Sequence, residues 1–251
     1  MIAHLTIIGE SYLGLFGQLA HGAVVKNLGV VGVNVTGSGH DIGGLVGNNR
    51  TWYHVGRTEL FRMGGVLNSC YSVGAVSGSS RVGGLVGFSC GTVTQCYSMG
   101  TVRGISCVGG LVGDNGHERL RDQHGGPGII TCCYSTSTAI GDSSVGGLAG
   151  HNGGYVVHCY TIGSVSGAEG VGGLVGSGGA EAFSSFWDIE TSGQTTSAGG
   201  TGKTTAEMQT ASTFLDAMWD FADETANGTE DIWRILEGKD YPHLWWEATE
   251  E

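Results

Sequence analysis

Cys96-Tyr97-Ser98-Met99-Gly100-Thr101-Val102-Arg103-Gly104-Ile105-Ser106-Cys107-Val108-Gly109-Gly110-Leu111-Val112-Gly113 is the stretch whose reading decides the fold. Its parts recur along the chain at fixed offsets. The pentapeptide Gly-Gly-Leu-Val-Gly begins at Gly43, Gly83, Gly109 and Gly172, with an Ala149 variant at Gly146 and a degenerate copy at Leu13-Gly14-Leu15-Phe16-Gly17. The steps between the five clear copies are 40, 26, 37 and 26 residues, so the unit is 26 residues and two copies carry insertions of about 14 and 11. Cys-Tyr recurs at Cys70-Tyr71, Cys96-Tyr97, Cys133-Tyr134 and Cys159-Tyr160. Six or seven residues after each cysteine stand Val76, Val102, Ile140 and Val165. Val82, Val108, Val145 and Val171 follow, and then Leu85, Leu111, Leu148 and Leu174.

A unit this short has too few apolar side chains to bury a core alone, so neighbouring copies must stack. Its apolar residues come in short β-branched runs split by glycine, with the period of two that suits strands, and no run keeps a helical period over ten residues. The expected fold is all-β: a parallel β-solenoid (β-helix) of 26-residue Gly-rich coils, like residues stacked in ladders about 4.8 Å apart. Glycine at the corners is expected to supply positive φ. The valine, leucine and cysteine columns point inward, and Tyr71, Tyr97, Tyr134 and Tyr160 face outward as a stacked stripe. Glycine supplies 49 of 251 residues but proline only 2, which excludes collagen. A hydrophobic fraction of 40% with 14% charged residues opposes disorder.

The net charge of −12 is uneven: residues 188–251 hold 14 of the 23 acids and 3 of the 11 Lys/Arg. Without a basic stripe, nucleic acid is not an expected partner. No apolar run approaches a membrane span, and no basic-then-apolar secretory signal opens the chain. Seven cysteines are an odd number, so no complete internal disulfide set exists.

The pentapeptide, with Cys-Tyr-Ser-x-Gly-x-Val between copies, resembles the GLUG-motif repeat family. Tyr12-Leu13-Gly14-Leu15-Phe16-Gly17 near the start is similar to the opening of such arrays. Phe186-Trp187-Asp188, Thr204-Thr205-Ala206-Glu207-Met208, Trp219-Asp220-Phe221, Ile232-Trp233 and Tyr241-Pro242-His243-Leu244 are similar to their ending. The resemblance covers roughly residues 12–246. It implies a bacterial protein of the adhesin-like kind, placed at the cell surface or outside the cell. In metallopeptidases that carry such repeats, a separate zinc domain with His-Glu-x-x-His does the catalysis. That motif does not occur in this sequence, so the resemblance transfers no peptidase activity.

Two regions are expected: the solenoid over 1–186, with insertions at about 48–64 and 114–127, and an aromatic-rich C-terminal cap over 187–251. Thr204 and Glu207 have capping-box spacing for a short helix at about 205–211. Trp187, Trp219, Trp233, Trp245 and Trp246 would cover the last coil and protect its strand edge. At the other end the first coil begins almost at Met1 without an evident cap. That reads as a missing N-terminal part or an edge that pairs with another chain.

Ser197-Ala198-Gly199-Gly200-Thr201-Gly202-Lys203-Thr204 has the look of a phosphate loop, but serine stands where the motif needs glycine and no apolar strand precedes it. The insertions hold more chemistry. Both follow the pentapeptide, so both leave the same corner of the solenoid, two coils apart. Loops on one solenoid face are where binding resides. Trp52, Tyr53, Arg50, Arg57, Arg119 and Arg121 are the candidate contacts to a glycan or protein surface. The alternative is a hydrolase of small esters or phosphate esters at that corner, with Cys90 as nucleophile and His54 or His151 as base. A metal form of it would hold zinc with His117, His124, His151 and Asp114. The leading reading needs no cofactor.

Overall fold

The computed structural model describes residues 1–55, 59–116, 124, 125 and 127–247, with the backbone alone for 52–55, 59–62, 124 and 125. The chain winds as a parallel β-solenoid. One coil runs through four strands, here numbered as faces: Val66–Asn68 on face 1, Tyr71–Ser77 on face 2, Ser80–Gly83 on face 3 and Val86–Ser89 on face 4. Each strand pairs in parallel with its counterparts in the coils before and after it. Pairing follows the repeat. Leu67 lies against Val93 on face 1, Val82 against Val108 on face 3, and Val86 against Val112 on face 4.

The core is a narrow channel filled by these columns. Leu45, Leu85, Leu111, Leu148 and Leu174 are fully buried in it, as are Cys70, Cys96, Cys133 and Cys159. Each buried aliphatic side chain contributes about 1.5–3 kcal/mol. The cysteines form hydrogen bonds along the axis, not disulfides. The Cys70 amide donates to Cys96 Sγ at 3.4 Å, and the Cys96 amide to Cys133 Sγ at 3.3 Å. In the next coil Ser185 takes the place of cysteine and accepts from the Cys159 amide at 3.0 Å.

Two sequence expectations need correction. In the third Cys-Tyr coil Ala139, not Ile140, fills the inward column. Ala139 pairs with Val102 and Val165 and is fully buried, while Ile140 pairs with Arg103 and Ser166. The inward column thus stands six residues after the cysteine in all four coils, and this coil and the next both break their face-2 strand before it. The role of glycine also differs from the expected one. The left-handed corners are mostly non-glycine: Ser69, Gln95, Cys132 and His158 before the thiol column, and Asp41, Arg81, Cys107 and Ser144 on face 3. The repeat glycines serve instead for close backbone approach. A Cβ on Gly113 would lie 2.5 Å from the backbone of Arg81 and Val82 in the preceding coil.

The C-terminal segment covers the end of the solenoid with one part and its flank with another. The helix α1 (Ile189–Ser192) is capped by buried Asp188, and the following loop closes the last coil. Within that loop Thr196 accepts from the Gly173 amide, and Ala198 donates to the Val175 carbonyl. From Thr204 onward the chain turns back along face 2. The capping box is present, but the expected helix is split into α2 (Thr205–Met208) and α3 (Ala211–Leu215). Here most of the tryptophans depart from the expected cap over the last coil: Trp219, Trp233 and Trp246 lie against the tyrosine column. The tyrosines do stack, with ring centroids 4.9, 5.0 and 5.1 Å apart, but Tyr134 and Tyr160 are 1% exposed. With Phe186, Met208, Phe214, Trp219, Phe221 and Trp233 they form a second core outside the solenoid.

Candidate functional site

The insertions leave the solenoid at a row of buried asparagines. Asn49 clamps the foot of the first. Its Oδ1 accepts from the Gly65 amide at 2.7 Å, and its Nδ2 donates to the Gly65 carbonyl at 3.1 Å. At the second, Asn115 acts through its Nδ2, donating to the Gly128 carbonyl at 3.3 Å and to Asn152 Oδ1 at 2.8 Å. A buried amide that satisfies both chain ends lets a long loop depart while the ladder beneath it stays in register.

Above those feet the insertions meet. The strand Thr51–Val55 pairs antiparallel with Glu59–Met63, so Trp52 stands opposite Arg62, Tyr53 opposite Phe61 and His54 opposite Leu60. His124–Gly125 of the second insertion then pairs in parallel with the same strand, His124 against Phe61 and Gly125 against Arg62. A three-stranded sheet therefore bridges two insertions whose coils are not adjacent. Arg57, His117, Arg119 and Arg121 lie outside the described residues.

Below this sheet, faces 3 and 4 present two facing rows of polar residues. On face 4 the register runs Asn48, Phe88, Asp114, His151, Ser177. Facing them on face 3 are Asp41, Arg81, Cys107 and Ser144. Asp41 is fully buried, ion-paired to the Arg81 guanidinium and hydrogen-bonded by Asn48 Nδ2 at 2.6 Å. Burial opposes the charge on Arg81, but the Asp41 carboxylate outweighs it and holds the guanidinium pKa above its usual value. The Phe88 ring lies under two cations, Arg50 Cζ at 4.5 Å and Arg81 Cζ at 5.5 Å from its centroid. Such cation–π contacts contribute about 0.5–2 kcal/mol.

Of the residues expected at a hydrolase site, Asp114, a candidate zinc ligand, and His151, a candidate base and zinc ligand, come together as direct partners in adjacent coils. His151 Nδ1 lies 3.1 Å from Ser177 Oγ, which donates to Ser144 Oγ at 2.9 Å. Cys90 is not brought to His151. It is buried at the corner, where its thiol donates to the Gly116 carbonyl at 3.3 Å. The register places His151 two coils beyond Phe88, about 10 Å along the axis, too far for the direct hydrogen bond of a thiol–imidazole pair. Among the described residues no group of three or more His, Cys, Asp or Glu side chains could hold a metal ion. Of the expected zinc ligands only Asp114 and His151 have described side chains.

Sequence reasoning passed over Asp41, Arg81 and Cys107. The signal was the position two residues before each Gly-Gly pair, which changes identity from coil to coil while its neighbours hold. Burial, with the Asp114 carboxylate adding to it and Arg81 opposing, pushes the Cys107 thiol up to about 11. Cys107 is thus protonated at neutral pH and is not an activated nucleophile.

These features define a parallel β-solenoid with a loop sheet mounted on one corner. The chain is similar in fold to a crystal structure from Bacteroides ovatus named a "putative immunoglobulin A1 protease", at a TM-score of 0.51 and 16% identity, over 92% of this chain and 88% of that one. No family model matches the chain, and no curated protein matches it. No helix among the described residues is long and apolar enough to cross a membrane.

Proposed function

We propose that this protein is a rigid repeat module that binds a glycan or protein partner through the insertion corner, working as a GLUG-type, adhesin-like protein at the surface of a bacterial cell or outside it. The observation that carries the reading is the sheet formed by Thr51–Val55, Glu59–Met63 and His124–Gly125. Two insertions that pair with each other make one preorganised platform, and preorganisation lowers the ordering cost of binding. The tyrosine stripe is covered by the chain's own C-terminal segment. The test is a glycan and protein array probed with the full chain and with a variant in which residues 50–63 are replaced by a short Gly-Ser turn. Binding by the first and not the second, at equal melting temperature, supports the reading. Equal binding by both would sink it.

One observation favours a hydrolase as the second reading: the column Asp114, His151, Ser177, in which an imidazole stands between a carboxylate and a hydroxyl. Turnover of small esters or phosphate esters that His151→Ala abolishes at unchanged stability would support it. Zinc could serve such a site only with ligands from residues 117–124 added to Asp114 and His151, so chelator sensitivity separates the metal form from the metal-free one.

A further inference from the structure

Each coil crosses its four faces in turn, and the last one breaks that order. After Ala182–Phe183 on face 1 and Phe186–Asp188 on face 2, the closing loop lies over face 4. There Ser197 Oγ accepts from the Val175 amide at 2.8 Å, and Ala198 donates to the Val175 carbonyl at 3.0 Å. Thr201–Lys203 then pairs with Phe186–Asp188, already back on face 2. In an ordinary coil residues 90–96 make the passage from face 4 to face 2 by way of face 1. Here Gly199 and Gly200 alone span it, so face 1 is one strand short. The place of that strand is an open recess of 490 Å³ between residues 178–183 and 198–200.

The strand edge beside the recess is open. Ala182–Phe183 ends its sheet and pairs only with Tyr155–Val157. His158 donates to the Phe183 carbonyl at 3.2 Å, so Phe183 directs its backbone groups to the preceding coil. Successive residues of a strand alternate in this, and Ala182 therefore directs its N–H and C=O to the recess. The carbonyls on either side are taken: Ala180 accepts from Asn152 Nδ2 at 3.4 Å, and Ser184 from Trp219 Nε1 at 2.8 Å. Among the described residues no hydrogen bond reaches Ala182 from that side. Glu181 and Phe183 flank it and are both exposed, Phe183 to 47%.

We propose that this edge takes an extended segment of a partner protein as an added strand of face 1, with a basic residue beside Glu181 and an apolar or aromatic one beside Phe183. Apart from those two side chains the recess is lined by glycine and alanine, so it admits a backbone closely. Main-chain hydrogen bonds then give affinity, and the flanking side chains give specificity. Opposite charges and aromatic–apolar pairs across neighbouring strands are favourable. The adjoining residues 188–251 hold 14 acids against 3 Lys/Arg, a field that favours a cationic segment. A sugar chain fits less well, because Glu181 is the sole polar side chain in the lining. The inference is independent of the insertion corner.

The experiment probes an array of peptides of about eight residues with the full chain. The peptides carry Lys-x-Phe or Phe-x-Lys at the centre, beside counterparts with Glu for Lys, and the tightest binder is titrated in solution by fluorescence anisotropy. Two variants test the edge. Ala182→Pro removes the N–H that faces the recess and no bond of the existing ladder. Gly179→Trp fills the recess from a position whose Cβ would meet nothing within 4 Å, and it decides alone should the proline variant not fold. Melting temperature verifies folding throughout. The expected result is binding of Lys peptides in preference to Glu ones. Either substitution, or N-methylation of the peptide residue opposite Ala182, should weaken it about tenfold or more. Replacing residues 50–63 by a Gly-Ser turn should leave it unchanged, and loss there would move the peptide to the insertion corner and overturn the inference. An N-methylated peptide bound as tightly as its parent would overturn it too, since no strand pairing would be involved. Equal binding of Lys and Glu peptides would refute the stated partner. So would a chain that binds no peptide on the array, or one that self-associates in sedimentation until Gly179→Trp prevents it.

Discussion

The hydroxyl of Tyr134 donates to the carboxylate of Glu247 at 2.8 Å, across 113 residues of chain. Beside it the Tyr160 hydroxyl donates to the Pro242 carbonyl at 2.6 Å. These bonds, with Trp246 lying against both Tyr71 and Tyr97, fasten the C-terminal segment along the flank of the solenoid. The tyrosine ladder is therefore an internal interface of the molecule. Replacing Tyr160 by Ala should cost about 3–5 kcal/mol by leaving a cavity between the two cores. Tyr134→Phe should cost about 1–3 kcal/mol, because Glu247 loses a buried donor. Urea unfolding of the two variants beside the parent measures both, and a Tyr160→Ala protein as stable as the parent would refute the interface.

His243 sits between Asp240, whose Oδ2 is 2.9 Å from Nε2, and Glu247, 3.7 Å from Nδ1. Glu247 chiefly, with Asp240 adding and burial opposing, raises its pKa above the usual 6.5. A raised histidine stabilises fully below its unfolded pKa, and that stability is lost as pH rises through the folded value. The fastening of the tail should thus weaken upward from about pH 6.5. His158, whose pKa burial lowers, acts in the opposite sense and loses stability as pH falls. Melting temperature from pH 5 to 9 should show the decline at alkaline pH in the parent and a flatter limb in His243→Asn. A parallel decline in both proteins would assign the effect elsewhere.

Gly113 faces the backbone of the preceding coil at 2.5 Å from where its Cβ would be, while a Cβ on Gly179 would meet nothing within 4 Å. Gly113→Ala should destabilise by about 1–3 kcal/mol or more through forced separation of faces 3 and 4. Gly179→Ala should change stability by less than about 0.5 kcal/mol. Thermal unfolding of the pair tests whether the pentapeptide glycines are there for close approach.

Asn49→Ala removes the clamp on the first insertion and leaves the Gly65 amide and carbonyl without the Asn49 side chain that holds them, at a cost of about 1–3 kcal/mol. Hydrogen exchange should quicken at residues 50–65 and stay slow in the strand Val86–Ser89. Uniform quickening across the solenoid would show that Asn49 supports the whole coil and not the loop.

The thiols should be inert in the native state. Cys107 is raised to about 11, and burial, slightly relieved by Thr131, raises Cys132 to about 12. Ellman's reagent at pH 7 should therefore modify almost none of the seven cysteines in the folded protein and all of them in guanidinium. Fast labelling of one native cysteine would reveal a reactive thiol the fold does not account for.

The coil was legible in the sequence because a solenoid writes its contacts into a linear period. Val82, Val108, Val145 and Val171 touch in space because they are spaced alike in the chain. The inward cysteines followed from the same rule, and so did the common corner from which the insertions depart. The candidate site was legible only in part. Asp114 and His151 share a repeat position, so their pairing could be counted out. Cys90 sits two residues past that column and turns to the Gly116 carbonyl instead. Arg81 and Cys107 were hidden because a column of changing residues looks like noise until the strands are laid side by side.

Two features belonged to the tertiary structure alone. The segment from Thr204 onward has no period linking Glu247 to Tyr134 or Trp246 to Tyr97. Its place was decided by which apolar surface remained uncovered once the coils had stacked. The pairing of Glu59–Met63 with His124–Gly125 likewise joins two insertions without a shared pattern, held together because the solenoid beneath brings their feet to one corner. Local period determined the scaffold, where every contact is between equivalent positions. The flank and the loop sheet are contacts between unlike segments, and only burial and hydrogen bonding in the folded chain select those.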